Sequence, residues 1–137
     1  MKHDKGFSLI ELLIVVAIIG IIAAIAIPNF TTSRIAANEA SAISAVRTIC
    51  TAQITYASTV GNGQYGGLAN LSGTTPPLID TVLASGTKSG YTVNTASAGA
   101  GLFTVGATPT TVGTTGWRTF TADQTGVIYA NGNVLNN

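Results

Sequence analysis

The carboxylate with the most unusual setting is Glu11, the one charge in residues 7–27, FSLIELLIVVAIIGIIAAIAI. A charge in such a run is costly in low dielectric unless an opposite charge meets it, so its chemistry is ion pairing with a partner. Other reactive side chains are scarce. His3, the one histidine, lies in the basic tip MKHDKG, and the one cysteine, Cys50, cannot form an internal disulfide. No Cys/His cluster has zinc spacing, and Asp123 reads as a turn-stabilising carboxylate before an ion ligand. No catalytic constellation results, so the sequence points to neither an enzyme nor a cofactor or metal site. Six Lys or Arg against five Asp or Glu give a net charge of +1, without the basic cluster that nucleic-acid binding needs.

The element that must carry Glu11 is a helix. Twenty-one residues at about 1.5 Å each span roughly 31 Å, the thickness of a bilayer's hydrocarbon core. Fourteen of them are Leu, Ile, Val or Phe. Their summed insertion gain, about −6 kcal/mol, exceeds the roughly 2.5–3.5 kcal/mol cost of an acidic residue. Lys2 and Lys5 would stay on the cytoplasmic side. A secretory signal peptide, cut near Ala24-Ile25-Ala26, and a plain membrane anchor both fit this block. Neither has a use for Glu11, and the run is longer than a usual signal core.

Around the charge, Lys5-Gly6-Phe7-Ser8-Leu9-Ile10-Glu11-Leu12 resembles the type IV pilin and pseudopilin signature, the class III N-terminal methylation signal. The resemblance covers about the first 57 residues. It implies a prepilin peptidase that cuts between Gly6 and Phe7, N-methylation of Phe7, and assembly roles for Phe7 and Glu11. Gly20 and Pro28 fall where the family carries helix-weakening residues, and the stretch between them is expected either to unwind in the filament or simply to bend at Pro28. Cleavage would remove Lys2, Asp4 and Lys5 and create a cationic α-amine at Phe7, a partner for Glu11 within one subunit or between neighbours. The family further implies a homopolymeric helical filament, built by pilus or secretion assembly machinery from an inner-membrane precursor. The product would be an extracellular pilus or a periplasmic pseudopilus.

Beyond Pro28 the pattern becomes amphipathic. Ile35, Ile43, Val46, Ile49, Cys50, Ile54 and Ala57 recur at three- and four-residue steps and predict one stripe packed against a head. Arg34, Asn38, Glu39 and Arg47 are expected off that stripe, and Cys50 as a small buried core residue. One helix is predicted over about residues 7–57, ended by Gly61, Gly63, Gly66 and Gly67. A short helix is predicted from Thr75 to Leu83, with Thr75 as cap, Pro76 at its first position and Gly86 beyond its end. Four β-prone runs follow, at residues 90–95, 102–108, 117–122 and 127–130, with turns at Asp123-Gln124-Thr125-Gly126 and Asn131-Gly132.

The expected fold is α+β, a long N-terminal helix packed on a small antiparallel sheet of three or four strands. The expected divisions are a leader (1–6), a membrane or filament-core half-helix (7–28), an amphipathic half-helix (29–57), a connecting region (58–88) and a sheet head (89–137). A looser resemblance to Gram-negative pilin-like proteins lies in Ala107-x-Pro109, Gly116-x-Arg118-x-Phe120 and Asp123-x-x-Gly126-x-Ile128. A paired-cysteine C-terminal loop is absent, as is the acidic calcium cluster of major secretion pseudopilins. The absence of that acidic cluster favours a pilus subunit over a type II secretion pseudopilin, with a membrane-anchored or secreted binding module as the remaining class. From residue 51 onward only Asp80, Lys88, Arg118 and Asp123 are charged, a surface on which identical copies repel one another little.

Overall fold

The structure is a computed structural model and describes residues 6–97 and 101–135, so the basic tip that carries Lys2, His3, Asp4 and Lys5 lies outside the described residues. The chain divides into two compact units, Met1–Ser33 and Arg34–Asn137, and helix α1 (Leu9–Thr59) contributes to both. In the first unit, nearly every described helical side chain is exposed, whichever way it points. Such an Ile-rich stretch has modest helix propensity in water. In lipid, however, only a helix satisfies all its own backbone groups, so this segment is the one helix long and apolar enough to cross a membrane among the described residues.

The second unit is built on the remainder of α1. Ile35, Glu39, Ala42, Ala45, Val46, Ile49, Cys50, Ala52 and Gln53 are its buried face. Opposite stands a six-stranded antiparallel meander in sequence order: β1 (Thr87–Lys88), β2 (Tyr91–Ser97), β3 (Phe103–Pro109), β4 (Phe120–Asp123), β5 (Ile128–Ala130) and β6 (Asn133–Val134). Period-two alternation sends Tyr91, Val93, Phe103, Val105, Ala107, Phe120, Ala122 and Ile128 into the core and Thr92, Thr104 and Thr121 to solvent. The register pairs inward residues across strands, Val93 with Ala107, Val105 with Ala122, and Ala122 with Ile128. The four predicted strands correspond to β2–β5. The two extra edge strands have two residues each, too short to leave an alternating pattern.

Local chemistry sets the connections. Asn131 and Gly132, with φ of 49° and 85°, form the tight turn into β6. At the β4–β5 turn, Asp123 accepts the Thr125 N–H at 2.9 Å and its hydroxyl, so this carboxylate serves its own turn. Two short helices close the core, α2 (Leu68–Ser72) and α3 (Thr81–Ala84), which bury Leu71 and Leu83. The helix expected from Thr75 is therefore only its last part, and its cap is Asp80, which accepts the Leu83 N–H at 2.6 Å. The physical reason is Pro77, whose ring disfavours a helical Pro76 before it. Helix α2 left no sequence signal beyond Gly67 and Gly73 at its ends.

One close approach has a measurable consequence. Tyr91 is fully buried and its hydroxyl donates to the Arg118 carbonyl at 3.0 Å. A Cβ at Gly116 would fall on that hydroxyl and the ring carbons behind it. Gly116→Ala is accordingly expected to lower head stability by roughly 1–3 kcal/mol, read as a lower midpoint in a thermal melt.

Candidate functional site

Two sets of residues carry the chemistry. At the N-terminus, Gly6, Phe7 and Ser8 precede helix α1 in non-helical backbone, and Phe7 is 88% exposed. A side chain added at Gly6 would meet nothing within 4 Å. Glu11 is exposed and its Oε2 accepts the Ser8 N–H at 2.8 Å. Ser8-Leu9-Ile10-Glu11 is thus a capping-box spacing, and the glutamate satisfies one of the donors that a helix start leaves open. The sequence reading assigned Glu11 an ion-pairing role only, although the S-x-x-E spacing was there to be read.

Gly20 and Pro28 both lie within continuous helix α1, with open space around Gly20. Just past the proline, polar side chains turn back on the helix. Asn29 Nδ2 donates to the Ile25 carbonyl, and the hydroxyls of Thr31, Thr32 and Ser33 donate to those of Ile27, Pro28 and Asn29, all at 2.9–3.2 Å. These hydroxyls satisfy themselves locally, the back-bonding that favours bends in helices.

In the second unit, Ile35, Val46, Ile49 and Cys50 are buried and Ile43 packs at the core's edge. Ile54 is 54% exposed, contrary to its expected packing role. At about 100° per residue it lies one step round from Gln53, which is fully buried near the middle of the arc. Burial pushes the Cys50 thiol up, with a further push from the Asp123 charge, so it is an inert core group.

Glu39, expected off the stripe, lies on it. It sits one turn after Ile35 and seven residues before Val46, on the same face, and is buried. Its Oε1 accepts the main-chain N–H groups of Trp117 and Arg118 at 2.9 and 3.1 Å. Its Oε2 accepts Arg118 Nε at 2.8 Å and Nη2 at 2.7 Å. Burial alone would raise the pKa of this carboxyl. The N–H of Trp117 and the side chain and N–H of Arg118 outweigh it and hold the group below the ordinary glutamate range. The half-exposed guanidinium also lies over the Phe120 ring, 5.4 Å from its centroid. Gln53 plays a similar part higher on α1. Its Nε2 donates to the Gly66 carbonyl (2.6 Å) and Thr95 Oγ1 (2.8 Å), and its Oε1 accepts the Gly66 N–H (3.0 Å). Among the described residues no three His, Cys, Asp or Glu side chains gather to hold a metal.

An apolar helix with a charged, capped start, continued into a small antiparallel sheet, defines an α+β pilin-like chain. Comparison with known proteins agrees. A family model of the prokaryotic N-terminal methylation motif matches residues 1–27. The type IV major pilin protein PilA of Myxococcus xanthus is 39% identical over 95 residues, covering 69% of this chain and 39% of that protein. A fimbrial protein of Pseudomonas aeruginosa is 59% identical over 51 residues, covering 35% of this chain and 33% of the relative. The type IV wide pilus major component PilA4 of Thermus thermophilus is 59% identical over 39 residues, covering 28% and 30%. The chain belongs to the type IV pilin and pseudopilin family and carries its class III methylation signal. It spans 30–39% of the length of these three relatives. No solved structure matches it.

Proposed function

We propose that the chain is a structural subunit of a type IV pilus filament. It is made as an inner-membrane precursor, cut by a prepilin peptidase between Gly6 and Phe7, N-methylated at Phe7, and polymerised through the apolar half of α1. The observation that carries this reading is the exposed, all-round apolar helix that starts at Leu9, just past the Gly6-Phe7 junction, with Glu11 in its first turn. A surface comfortable in lipid is equally comfortable among copies of itself, so transfer from bilayer to filament exposes little apolar area to water. The junction lies in exposed, non-helical backbone, the form in which a peptidase can bind an extended strand. Removal of residues 1–6 leaves a domain order of filament-core half-helix (7–28), amphipathic half-helix (29–57), connecting region (58–88) and sheet head (89–137). The remaining 131 residues carry four basic and four acidic side chains. The chain is thus a substrate of processing enzymes and has a structural role of its own. Its relatives are major pilus and fimbrial proteins, which favours a pilus over a secretion pseudopilus.

The test is mass analysis of fibres sheared from the cell surface. The expected result is fibres made mainly of this chain, with a mature terminus at N-methylated Phe7. A terminus at Ile27 would indicate a secreted module and overturn the reading. Loss of secretion on deletion, without surface fibres, would assign the chain to a pseudopilus instead.

A further inference from the structure

With seven charges over Arg34–Asn137, the head's electrostatics can be followed charge by charge. Glu39 pairs with Arg118, and Asp80 with Lys88 at 3.7 Å. Arg47 has an interaction of its own. Arg34 and Asp123 are left without an opposite charge among the described residues. Arg34 is exposed, one turn before Asn38, whose Nδ2 donates to the Thr115 carbonyl at 3.0 Å. The cation therefore neighbours the β3–β4 loop, where Val112 and Trp117 are 67% and 65% exposed. Asp123 lies at the other end of β4, in the hairpin beside exposed Val127. Four residues of β4 lead from the β3–β4 loop to Asp123, roughly 13 Å at about 3.3 Å per residue, and hold the two charges apart. Each end of the head thus couples one unspent charge of opposite sign with exposed apolar side chains.

We propose that copies of this chain meet head to tail through an ion pair between Arg34 of one copy and Asp123 of the next, flanked by Trp117 and Val112 on one side and Val127 on the other. The proposal rests on the filament reading and supplies a contact between successive sheet heads for it. Because the two patches differ and lie far apart, the contact is heterologous: it does not close on itself and propagates a filament. A single exposed pair is weak. Here each subunit makes the contact twice, once through each end, and few other charges surround it. Exposure of the pair makes its contribution salt-sensitive over a Debye length of about 8 Å.

The test is charge reversal in the full-length chain, read as the amount of sedimentable polymer sheared from cells. Arg34→Glu and Asp123→Lys are each expected to reduce polymer about fivefold or more, and the double variant to restore most of it. A thermal melt of each variant checks that the head is folded. Should Asp123→Lys melt lower, Asp123→Asn, which keeps an acceptor for the Thr125 N–H, takes its place and is expected to reduce polymer likewise. Normal polymer from the single variants, or a double variant as poor as either single, overturns the pair and leaves the filament reading standing. Absence of polymer from the unmodified chain overturns both.

Discussion

Glu39→Ala is expected to cost the head roughly 3 kcal/mol, the largest loss from any exchange of a charged head residue. The substitution removes an acceptor that four donors share, the N–H groups of Trp117 and Arg118 and two guanidinium nitrogens. Arg118 is half exposed and can return to water, which sets the cost near the low end of the 3–5 kcal/mol typical for breaking a buried pair. The two main-chain donors point at the site that the buried carboxylate fills, and each costs about 1–3 kcal/mol if left unmade. The 104 residues of Arg34–Asn137 should then melt roughly 10–20 °C lower. Glu39→Gln, which keeps an acceptor for the N–H groups but not the charge, should lose about half as much. A drop below about 1 kcal/mol in Glu39→Ala would mean that the pair contributes no net stability.

The same carboxylate makes a pH prediction whose sign follows from the direction of its shift. Its folded pKa lies below the ordinary glutamate value, so the unfolded chain takes up a proton first as the solution is acidified. The contribution is therefore complete above about pH 4.3 and is lost as pH falls through the lower, folded value. Asp123, whose carboxyl is held down by the Thr125 hydroxyl and N–H, acts with the same sign. Native and Glu39→Ala chains should thus differ most in thermal midpoint from pH 5 to 7, and converge towards acid.

These residues also mark the limit of what the sequence discloses. Apolar periodicity pointed to the helix, to the buried Ile35, Val46, Ile49 and Cys50, and to the four longer strands, because burial there is repeated, while it passed over the small buried Ala42 and Ala45. The Asp123 and Asn131-Gly132 turns were legible because their chemistry is local. Glu39 was not, because a carboxylate at a core position makes sense only with its partners, and those are 78 and 79 residues away. Ile54 failed in the opposite sense, since an apolar residue at the edge of a stripe is assigned inward by type and outward by angle. At the N-terminus the type IV signature made Gly6, Phe7 and Glu11 conspicuous, and it also drew attention away from Ser8. The Ser8–Glu11 contact is a helix-start device that any capping-box sequence makes, and it gives Glu11 a second role that must be separated from the first.

Glu11→Gln performs that separation and is expected to abolish filaments, with at least a tenfold loss of sheared polymer. Glutamine retains a side-chain oxygen to accept the Ser8 N–H, and capping boxes use Glu and Gln alike. It also lowers the cost of placing this position in lipid, so the precursor should insert at least as well as the native chain. What it lacks is the negative charge that, on our reading, the cationic amine of processed Phe7 requires in the apolar filament core. A subunit with that amine buried and unpaired is destabilised in the polymer far more than in the bilayer, where the terminus can reach the aqueous interface. Glu11→Ala removes cap and charge together and should be no worse for assembly than Glu11→Gln. Membrane fractionation and N-terminal mass analysis show whether each variant is inserted and cut at Gly6-Phe7. If processed Glu11→Gln polymerises normally while Glu11→Ala does not, the capping bond, rather than the ion pair, is what assembly needs from this residue.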